Sequence, residues 1–314
     1  MKAIGIIRYG GPEVLEVIDV EEVNAGFEEI RIKIFASAVN PTDTVSRSGM
    51  IAKFRKDDPV FPSVPGMDIA GIVDQIGEAV TTDIKIGDRV MGMVIPDGDY
   101  GAYREQLILN QSAVVLAPKN SSHEEASTLP MNSLTARLSL DLLNLKSRQV
   151  IAVTGGPGAY GGYVIQLAKA DGLIVIADSS DSDESLLKDL GVDIIISREK
   201  SFVDQIREHF PDGVDGLADG ALLNEKAIDA VKDGGSFTSI RGFKGSPQRD
   251  IKFSATWVTA YNCDYEKLDK IRQQVDDGLV TLRVADTVSP ENAAEAHKRL
   301  EGGGTRGRMV IKWG

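Results

Sequence analysis

Buried strands and amphipathic helices alternate from Val150 onwards, and this alternation constrains the fold more than any other feature of the chain. Continuous apolar segments of this kind are typical of strands that are buried on both faces of a parallel sheet. The predicted strands are Val150–Thr154, Leu173–Ala177, Asp193–Ile196, Val214–Ala218 and Ser236–Ile240. Helices are predicted near Tyr163–Asp171, Glu184–Leu190, Phe202–His209 and Asn224–Lys232. The pattern predicts an α/β fold with a doubly wound parallel sheet of the Rossmann type.

The remainder of the chain has a different texture. Up to about residue 120, short β-like segments alternate with turns rich in Gly, Pro, Asn and Asp, which predicts an all-β, barrel-like domain. A helix is predicted over Glu124–Asn144. After about residue 265 we expect helices over Glu266–Asp277 and Pro290–Leu300 and a last strand over Met309–Lys312. The chain therefore has two kinds of domain.

Composition excludes several classes of function. The 314 residues carry 47 acids against 35 Lys and Arg, a formal charge of −12, and such a surface repels the phosphate backbone of nucleic acids. No apolar run approaches the roughly 18 residues of a membrane span. The single cysteine, Cys263, cannot form an internal disulfide. We expect a cytoplasmic protein with neither a nucleic-acid nor a membrane partner.

A glycine-rich segment follows the first predicted parallel strand and opens a helix. It contains G-x-G-x-x-G as Gly156, Gly158 and Gly161, and this context is the one that a dinucleotide fingerprint requires. Gly156 is expected to form the tight turn, Gly158 to admit the pyrophosphate and Gly161 to pack closely on the sheet. Ala159 and Tyr160 lie inside the motif and are predicted cofactor contacts, Tyr160 beside the nicotinamide ribose.

An acidic residue at the end of the second predicted strand bears on which dinucleotide binds. Asp178 lies 22 residues after Gly156, close to the roughly 20 of the fingerprint. Its carboxylate would accept hydrogen bonds from the adenine ribose and repel a 2′-phosphate, so NADH is favoured over NADPH, with Ser179 as a neighbouring contact. Arg198, after the third strand, is the nearby base that would instead hold a phosphate.

Ten short segments, spread from one end of the chain to the other, carry a family resemblance. They are Met1–Ile4, Tyr9–Leu15, Ala36–Asp43, Arg47–Gly49, Pro65–Gly71, Gly87–Val90, Leu129–Pro130, Leu134–Ala136, the glycine segment and Thr305–Val310. Through them the chain resembles the medium-chain dehydrogenase/reductase superfamily, and specifically its zinc-independent quinone oxidoreductase branch. The resemblance implies a GroES-like catalytic domain over residues 1–121, completed by 266–314, and a Rossmann domain over 122–265. It also implies a homodimer, formed through an edge strand near Ser254–Thr259.

Zinc-dependent members of this superfamily hold their metal with Cys, His and a later Cys or Asp. This sequence has Asn40 in the place of the first Cys and Met67 in the place of the His, so we predict no metal site. The three histidines fall outside these motifs and are predicted to lie at the surface; they are His123, His209 and His297.

The resemblance also implies which side chains surround the reacting groups. Asn40 would be a pocket residue near the nicotinamide and Thr135 a cofactor contact, and Ile240 and Arg241 would run beside the nicotinamide half. Turn chemistry at Asn40-Pro41 and an ordinary helical hydroxyl at Thr135 are the alternatives.

Two further expectations concern neighbouring segments. Asp43 and Arg47 are predicted to pair and brace their loop. The loop Ser46–Pro62, with Lys53, Arg55 and Lys56, is predicted to form a wall of the substrate pocket.

The predicted lack of a metal site limits the kinds of substrate that the protein could reduce or oxidise. Without a Lewis acid, nothing stabilises the alkoxide of an unactivated alcohol, whereas a quinone or an activated enone accepts hydride readily. The sequence predicts an NAD(P)H-dependent reductase of such small electrophiles. An enoyl-thioester or 2-alkenal reductase is an alternative with the same fold, and a dinucleotide-binding protein without catalysis is an alternative of another class.

Overall fold

A computed structural model describes residues 1–50 and 60–314 of the chain. Lys53, Arg55 and Lys56, predicted to line a substrate pocket, lie outside the described residues. The chain divides into two compact units. Unit 1 comprises Met1–Met131, Asn262–Asp276 and Leu282–Gly314, and unit 2 comprises Asn132–Tyr261 and Asp277–Thr281. The sequence-based limits at 121/122 and 265/266 stay predictions.

The elements follow one another in chain order. The strands are β1 (Lys2–Gly5), β2 (Glu16–Asp19), β3 (Glu29–Ala38), β4 (Asp68–Ile76), β5 (Arg89–Met93), β6 (Gln106–Asn110), β7 (Val114–Leu116), β8 (Val150–Thr154), β9 (Ile174–Ser179), β10 (Ile194–Ser197), β11 (Val214–Asp219), β12 (Val231–Ile240), β13 (Lys252–Thr256), β14 (Val284–Val288) and β15 (Arg308–Lys312). The α-helices are α1 (Pro41–Arg47), α2 (His123–Ser127), α3 (Pro130–Leu143), α4 (Ala159–Ala170), α5 (Glu184–Asp189), α6 (Phe202–His209), α7 (Tyr265–Asp276) and α8 (Ala293–Glu301).

Unit 1 is built on a predominantly antiparallel sheet in the order β14-β15-β3-β4-β5-β7, with β6 also paired to β3. Strand β3 shows why the sequence folds this way. Ile30, Ile32 and Ile34 alternate along it and lie in the core of the unit, and the intervening Arg31 and Lys33 keep more of their surface. This period of two is typical of a strand with one buried face.

Unit 2 contains a six-stranded parallel sheet in the order β10-β9-β8-β11-β12-β13. Numbered from β8, this is the order 3-2-1-4-5-6 of a doubly wound dinucleotide-binding fold. Four apolar side chains cross its centre in register: Ile176, Ala152, Leu217 and Phe237, and all are buried. The predicted Rossmann-type fold is therefore confirmed.

Three predicted helices differ from the structure. The helix expected over Glu124–Asn144 is two helices, α2 and α3, because Pro130 lacks the amide hydrogen that a continuous helix would need. The segment Asn224–Ala230 forms a 3-10 helix, and β12 begins at Val231, inside the predicted helix. A 3-10 turn over Pro290–Asn292 precedes α8.

No helix within residues 1–50 and 60–314 is long and apolar enough to span a membrane.

Candidate active site

The glycine segment turns sharply between β8 and α4. Gly155 has φ +69°, a conformation that glycine adopts without strain, so the tight turn lies at Gly155. The sequence-based assignment of the turn to Gly156 was wrong by one residue. Gly156 instead packs against the side chains of Leu187 and Ala177, where a Cβ would lie 3.1 and 3.2 Å from the nearest carbon atoms.

The next two glycines differ in how closely the backbone surrounds them, and their predicted roles toward a cofactor stay predictions. A Cβ on Gly161 would lie 2.3 Å from the Gly155 carbonyl oxygen, so only glycine lets α4 approach the turn this closely. A Cβ on Gly158 would meet one atom within 4 Å, the same carbonyl oxygen at 3.1 Å. Gly158 is the N-cap of α4, and Ala159 is the first residue of this twelve-residue helix. The first amides of a helix and its dipole attract anions, so this end can bind a diphosphate.

Asp178 lies near the carboxyl end of β9 and is buried. One carboxylate oxygen accepts a hydrogen bond from the Gly155 amide (2.7 Å) and the other from Arg198 Nε (2.7 Å). The Asp178 side chain is 7% exposed and that of Arg198 is 43% exposed. Ser179 is also buried, and its hydroxyl donates to the Ser180 carbonyl. The structure thus places Asp178 beside the glycine turn. It also pairs Asp178 with Arg198, the residue that the sequence predicts as the alternative contact for a 2′-phosphate.

Tyr160 points into unit 2. Its hydroxyl lies 2.7 Å from Ser139 Oγ, which in turn lies 3.0 Å from Thr256 Oγ1, and the side chain is 8% exposed. A Cβ on Gly220 would lie 2.7 Å from the ring, so the ring fills the space beside that glycine. The hydroxyl therefore ties α4 to α3 and β13, and the predicted contact with the nicotinamide ribose stays a prediction.

Three other predicted contacts lie in unit 2. Thr135 is on α3 and is buried. Ile240 is the last residue of β12, and Arg241, which follows it with φ +64°, is exposed. Their contacts with a cofactor stay predictions.

Sequence reasoning missed Asp219, the last residue of β11. Its fully buried carboxylate accepts the hydroxyl of Thr154 at 2.6 Å and the amides of Leu223 (3.1 Å) and Asn224 (2.7 Å). These bonds fix the end of β8 to the end of β11, the two strands between which the strand order reverses. Ligands of doubly wound folds bind at such a reversal. A carboxylate directly after an apolar strand was the available signal.

Asn40 lies in unit 1 as the N-cap of α1 and has no exposed surface. Its Nδ2 donates to Asp68 at 2.7 Å, and its backbone amide donates to Asp43 at 2.8 Å. Asp68 also accepts the Met131 amide at 2.7 Å. Burial raises the pKa of Asp68 to about 7, against the hydrogen bonds from Met131 and Asn40, which favour the carboxylate. Two buried carboxyl groups therefore hold Asn40 in one orientation.

Asp43 and Arg47 do not form the predicted pair. Asp43 accepts the hydroxyl of Tyr103 at 2.9 Å, and Arg47 donates to Glu301 at 2.6 Å and contacts His297 Nδ1 at 3.3 Å. The two are connected through Tyr103 and His297, whose Oη and Nε2 atoms are 3.1 Å apart.

The prediction that all three histidines lie at the surface was wrong for His297, which is fully buried on α8. His123 is partly buried and stacks on Phe35, and His209 is exposed. The spacing of α8 could have warned of this, because His297 follows the buried Ala293 by four residues.

The residues in the positions of a zinc site do not fit zinc. Asn40 donates its side-chain amide to Asp68, and Met67 is a buried thioether. Within the part of the chain that the structure describes, no group of three His, Cys, Asp or Glu side chains could hold a metal ion.

The two units define a class of protein: a GroES-like domain joined to a dinucleotide-binding domain. Residues 26–119 match the family described as "Alcohol dehydrogenase GroES-like domain", and residues 190–311 match "Zinc-binding dehydrogenase".

Curated relatives and solved structures match almost the whole chain. A 2-methylene-furan-3-one reductase of Solanum lycopersicum is 34% identical, over 99% of this chain and 79% of its own length. A chloroplastic NADPH-dependent alkenal/one oxidoreductase of Arabidopsis thaliana is 31% identical, over the same shares. The structure of the quinone oxidoreductase from Coxiella burnetii is 28% identical, covers 100% of this chain and 99% of its own, and has a TM-score of 0.88. This chain belongs to the medium-chain dehydrogenase/reductase superfamily of oxidoreductases, and its relatives include quinone oxidoreductases and alkenal/one reductases.

Proposed function

We propose that the protein is an NAD(P)H-dependent reductase of activated enones and quinones that acts without zinc. One observation carries the proposal: α4 begins directly after Gly158, beside the strand-order reversal of a 3-2-1-4-5-6 sheet. Phosphate groups bind at such a helix start because its amide hydrogens have no partner within the helix. The names of the relatives support the substrate class, since two of them reduce enones or alkenals and one reduces quinones.

The chain's own residues would bind and orient the cofactor. The amides at the start of α4 would bind the diphosphate, and Asp178 with Arg198 would lie at the adenosine end. Thr135, Ile240 and Arg241 are proposed contacts of the nicotinamide half. When bound, NAD(P)H supplies a hydride from its nicotinamide ring.

The proposed reaction needs orientation more than acid catalysis. Hydride adds to the β-carbon of the enone, the C=C electron pair moves toward the carbonyl, and the enolate oxygen takes the charge. A proton from water then restores the ketone or aldehyde. Hydrogen-bond donors placed at the oxygen would stabilise that charge. Asn40, whose orientation Asp68 and Asp43 fix, is our proposed neighbour of the reacting groups, as the family resemblance implies.

We propose that the Asp178–Arg198 pair sets the choice between NADH and NADPH. A free carboxylate would favour NADH, as the sequence predicts. In the pair, however, the carboxylate already accepts two donors, and the guanidinium is its exposed part. A 2′-phosphate would therefore meet a positive charge as well as a negative one. The NADH preference is then modest, and Arg198 contributes chiefly to NADPH.

The test is oxidation of NADH and of NADPH, followed at the nicotinamide absorbance, with quinones, enals, enones and enoyl thioesters in turn. Turnover with an enone or a quinone, and none with ethanol and NAD⁺, supports the proposal. Turnover with enoyl thioesters alone would favour the alternative reductase, and tight cofactor binding without turnover of any acceptor would favour a non-catalytic dinucleotide-binding protein.

We also propose a homodimer formed through β13. This strand lies at the edge of the unit 2 sheet, and an edge strand offers free backbone groups to a second copy. Trp257, directly after it, is 57% exposed. Light scattering of the wild type tests this: a dimer supports the proposal and a monomer contradicts it.

A further inference from the structure

A chain of buried hydrogen bonds runs through unit 1 and ends at the residue that holds Asn40. Its members come from distant parts of the sequence. Arg47 is on α1, His297 is on α8, and Tyr103 lies between β5 and β6. All three side chains and Asp43 are at most 3% exposed.

When Asp43 is ionised, the donors and acceptors of this chain have only one arrangement. Arg47 can only donate, so His297 Nδ1 must accept its N–H. A neutral imidazole then carries its hydrogen on Nε2 and donates to the Tyr103 hydroxyl oxygen. Tyr103 is left to donate its own hydrogen to Asp43 Oδ2. Burial and the neighbouring Arg47 lower the pKa of His297 to about 3, so the neutral form is the one present at neutral pH.

Arg47 fixes one end of this hydrogen-bonded chain, and Asp43 connects the other end to Asn40. Arg47 also donates to the Gly10 carbonyl (3.2 Å) and to Glu301 (2.6 Å), which fixes its guanidinium. At the far end, the oxygen of Asp43 that accepts Tyr103 also accepts the Asn40 amide. Because a guanidinium does not lose its proton in proteins, the chain cannot conduct protons from the surface. Its effect is orientation.

We infer that Tyr103 and His297 are positioning residues for the reaction: through Asp43 they fix Asn40. This inference rests on the proposed function, in which Asn40 neighbours the reacting groups. Hydrogen bonds of fixed direction hold Asp43 Oδ2 between the Tyr103 hydroxyl and the Asn40 amide. Hydrogen bonds in a dry interior support one another in this way.

The test variant is Tyr103→Phe, which removes one hydroxyl and keeps the ring. The matched control is Tyr100→Phe, three residues earlier in the same segment. The Tyr100 hydroxyl donates to the Ile108 carbonyl at 2.5 Å, not to a member of the buried hydrogen-bonded chain. We expect Tyr103→Phe to lower kcat about tenfold with the Kd for NAD(P)H unchanged, and Tyr100→Phe to stay within about twofold of the wild type. Melting temperatures show whether each variant folds.

A second pair of variants covers a failure of Tyr103→Phe to fold. His297→Gln keeps an N–H donor for Tyr103, whereas His297→Leu keeps none, so the glutamine variant should retain more of kcat. Equal kcat in the two folded variants, or equal losses in Tyr103→Phe and Tyr100→Phe, would overturn the inference.

A readout without turnover separates this inference from the proposed function. The Asn40 backbone amide donates to Asp43, so its hydrogen exchange, measured by NMR, should accelerate in Tyr103→Phe and not in Tyr100→Phe. An inactive wild type would contradict the proposed function. Hydrogen exchange of the Asn40 amide would still test whether the buried hydrogen bonds hold this residue. Unchanged Asn40 exchange in Tyr103→Phe would overturn the inference whatever the activity.

Discussion

Replacement by alanine should have different effects at two glycines of the same motif: at Gly161 it should lower stability, and at Gly158 it should weaken cofactor binding. In Gly161→Ala the new Cβ would lie 2.3 Å from the Gly155 oxygen and 2.9 Å from both the Gly155 carbonyl carbon and the Gly156 Cα. All three are backbone atoms, so α4 must move away from the turn. Overpacking of this kind costs about 1–3 kcal/mol in folding free energy.

In Gly158→Ala the methyl group would meet only the Gly155 oxygen, at 3.1 Å, and φ −65° suits alanine. The lower entropy of the unfolded chain, about 0.4–1 kcal/mol, offsets the poorer N-cap, about 0.5–2 kcal/mol. The methyl group nevertheless stands at the helix end where the diphosphate would approach.

The assay combines thermal unfolding with a fluorescence titration of NADPH. At about 2–4 °C per kcal/mol, Gly161→Ala should lower Tm by roughly 2–12 °C. Gly158→Ala should leave Tm within about 6 °C by the same conversion and raise the Kd for NADPH at least about tenfold, or about 1.4 kcal/mol. Wild-type affinity in Gly158→Ala, or a wild-type Tm in Gly161→Ala, would refute the assignment of the two roles.

Three further results are expected. Arg198→Ala should lower kcat/KM for NADPH several-fold more than for NADH, because the phosphate loses its cation and faces Asp178 alone; an equal loss for both cofactors would contradict the role given to the pair. The pKa of His297 is lowered in the folded state to about 3, below its usual 6.5, so its neutral form gives stability that is complete above pH 6.5 and is lost as the pH falls toward 3. In urea titrations His297→Gln should therefore lose less stability than the wild type between pH 6.5 and 4, by up to about 1.4 kcal/mol per pH unit, and parallel curves would contradict this sign. Dialysed protein should contain substoichiometric zinc by elemental analysis, because Asn40 and Met67 replace the ligands, and one tightly bound zinc per chain would overturn that expectation.

The parallel sheet could be predicted from the sequence because its signal is local. The first strands of the segment from Val150 contain continuous apolar runs, at 150–153, 173–177 and 194–196, and the glycine motif follows the first of them directly. Propensity and spacing are then sufficient to give the class of fold. The turn itself was misplaced because Gly155 and Gly156 are adjacent, and the sequence does not show which of them takes the positive φ.

The buried contacts of unit 1 could not be predicted in the same way, because they join residues far apart in the chain. His297 and Arg47 are 250 residues apart, and His297 and Tyr103 are 194 apart. A helical histidine gives no sign of a partner at such a distance. Asp43 and Arg47, four residues apart, suggested a local pair, and the tertiary partners displaced it.

The preference between NADH and NADPH is a third property that the sequence alone does not determine. Asp178 was singled out from its place after the second predicted strand, and its charge was assessed without its neighbour. The structure brings Arg198, at the end of the next parallel strand, within 2.7 Å of it. The pairing follows from the register of β9 and β10, which places Asp178 opposite Ile196, two residues before Arg198.

The most direct test of the proposed reaction is to find where the deuterium of labelled NADPH lies in the product. The protein, dialysed against a chelator, is incubated with NADPH deuterated at the transferable position of C4 and with an α,β-unsaturated ketone, and the product is analysed by mass spectrometry and NMR. Hydride transfer to the β-carbon yields one saturated ketone for each NADPH consumed, with one deuterium at the β-carbon and none at the α-carbon. Product without deuterium on the β-carbon, or no product from any enone while NADPH binds, would contradict it.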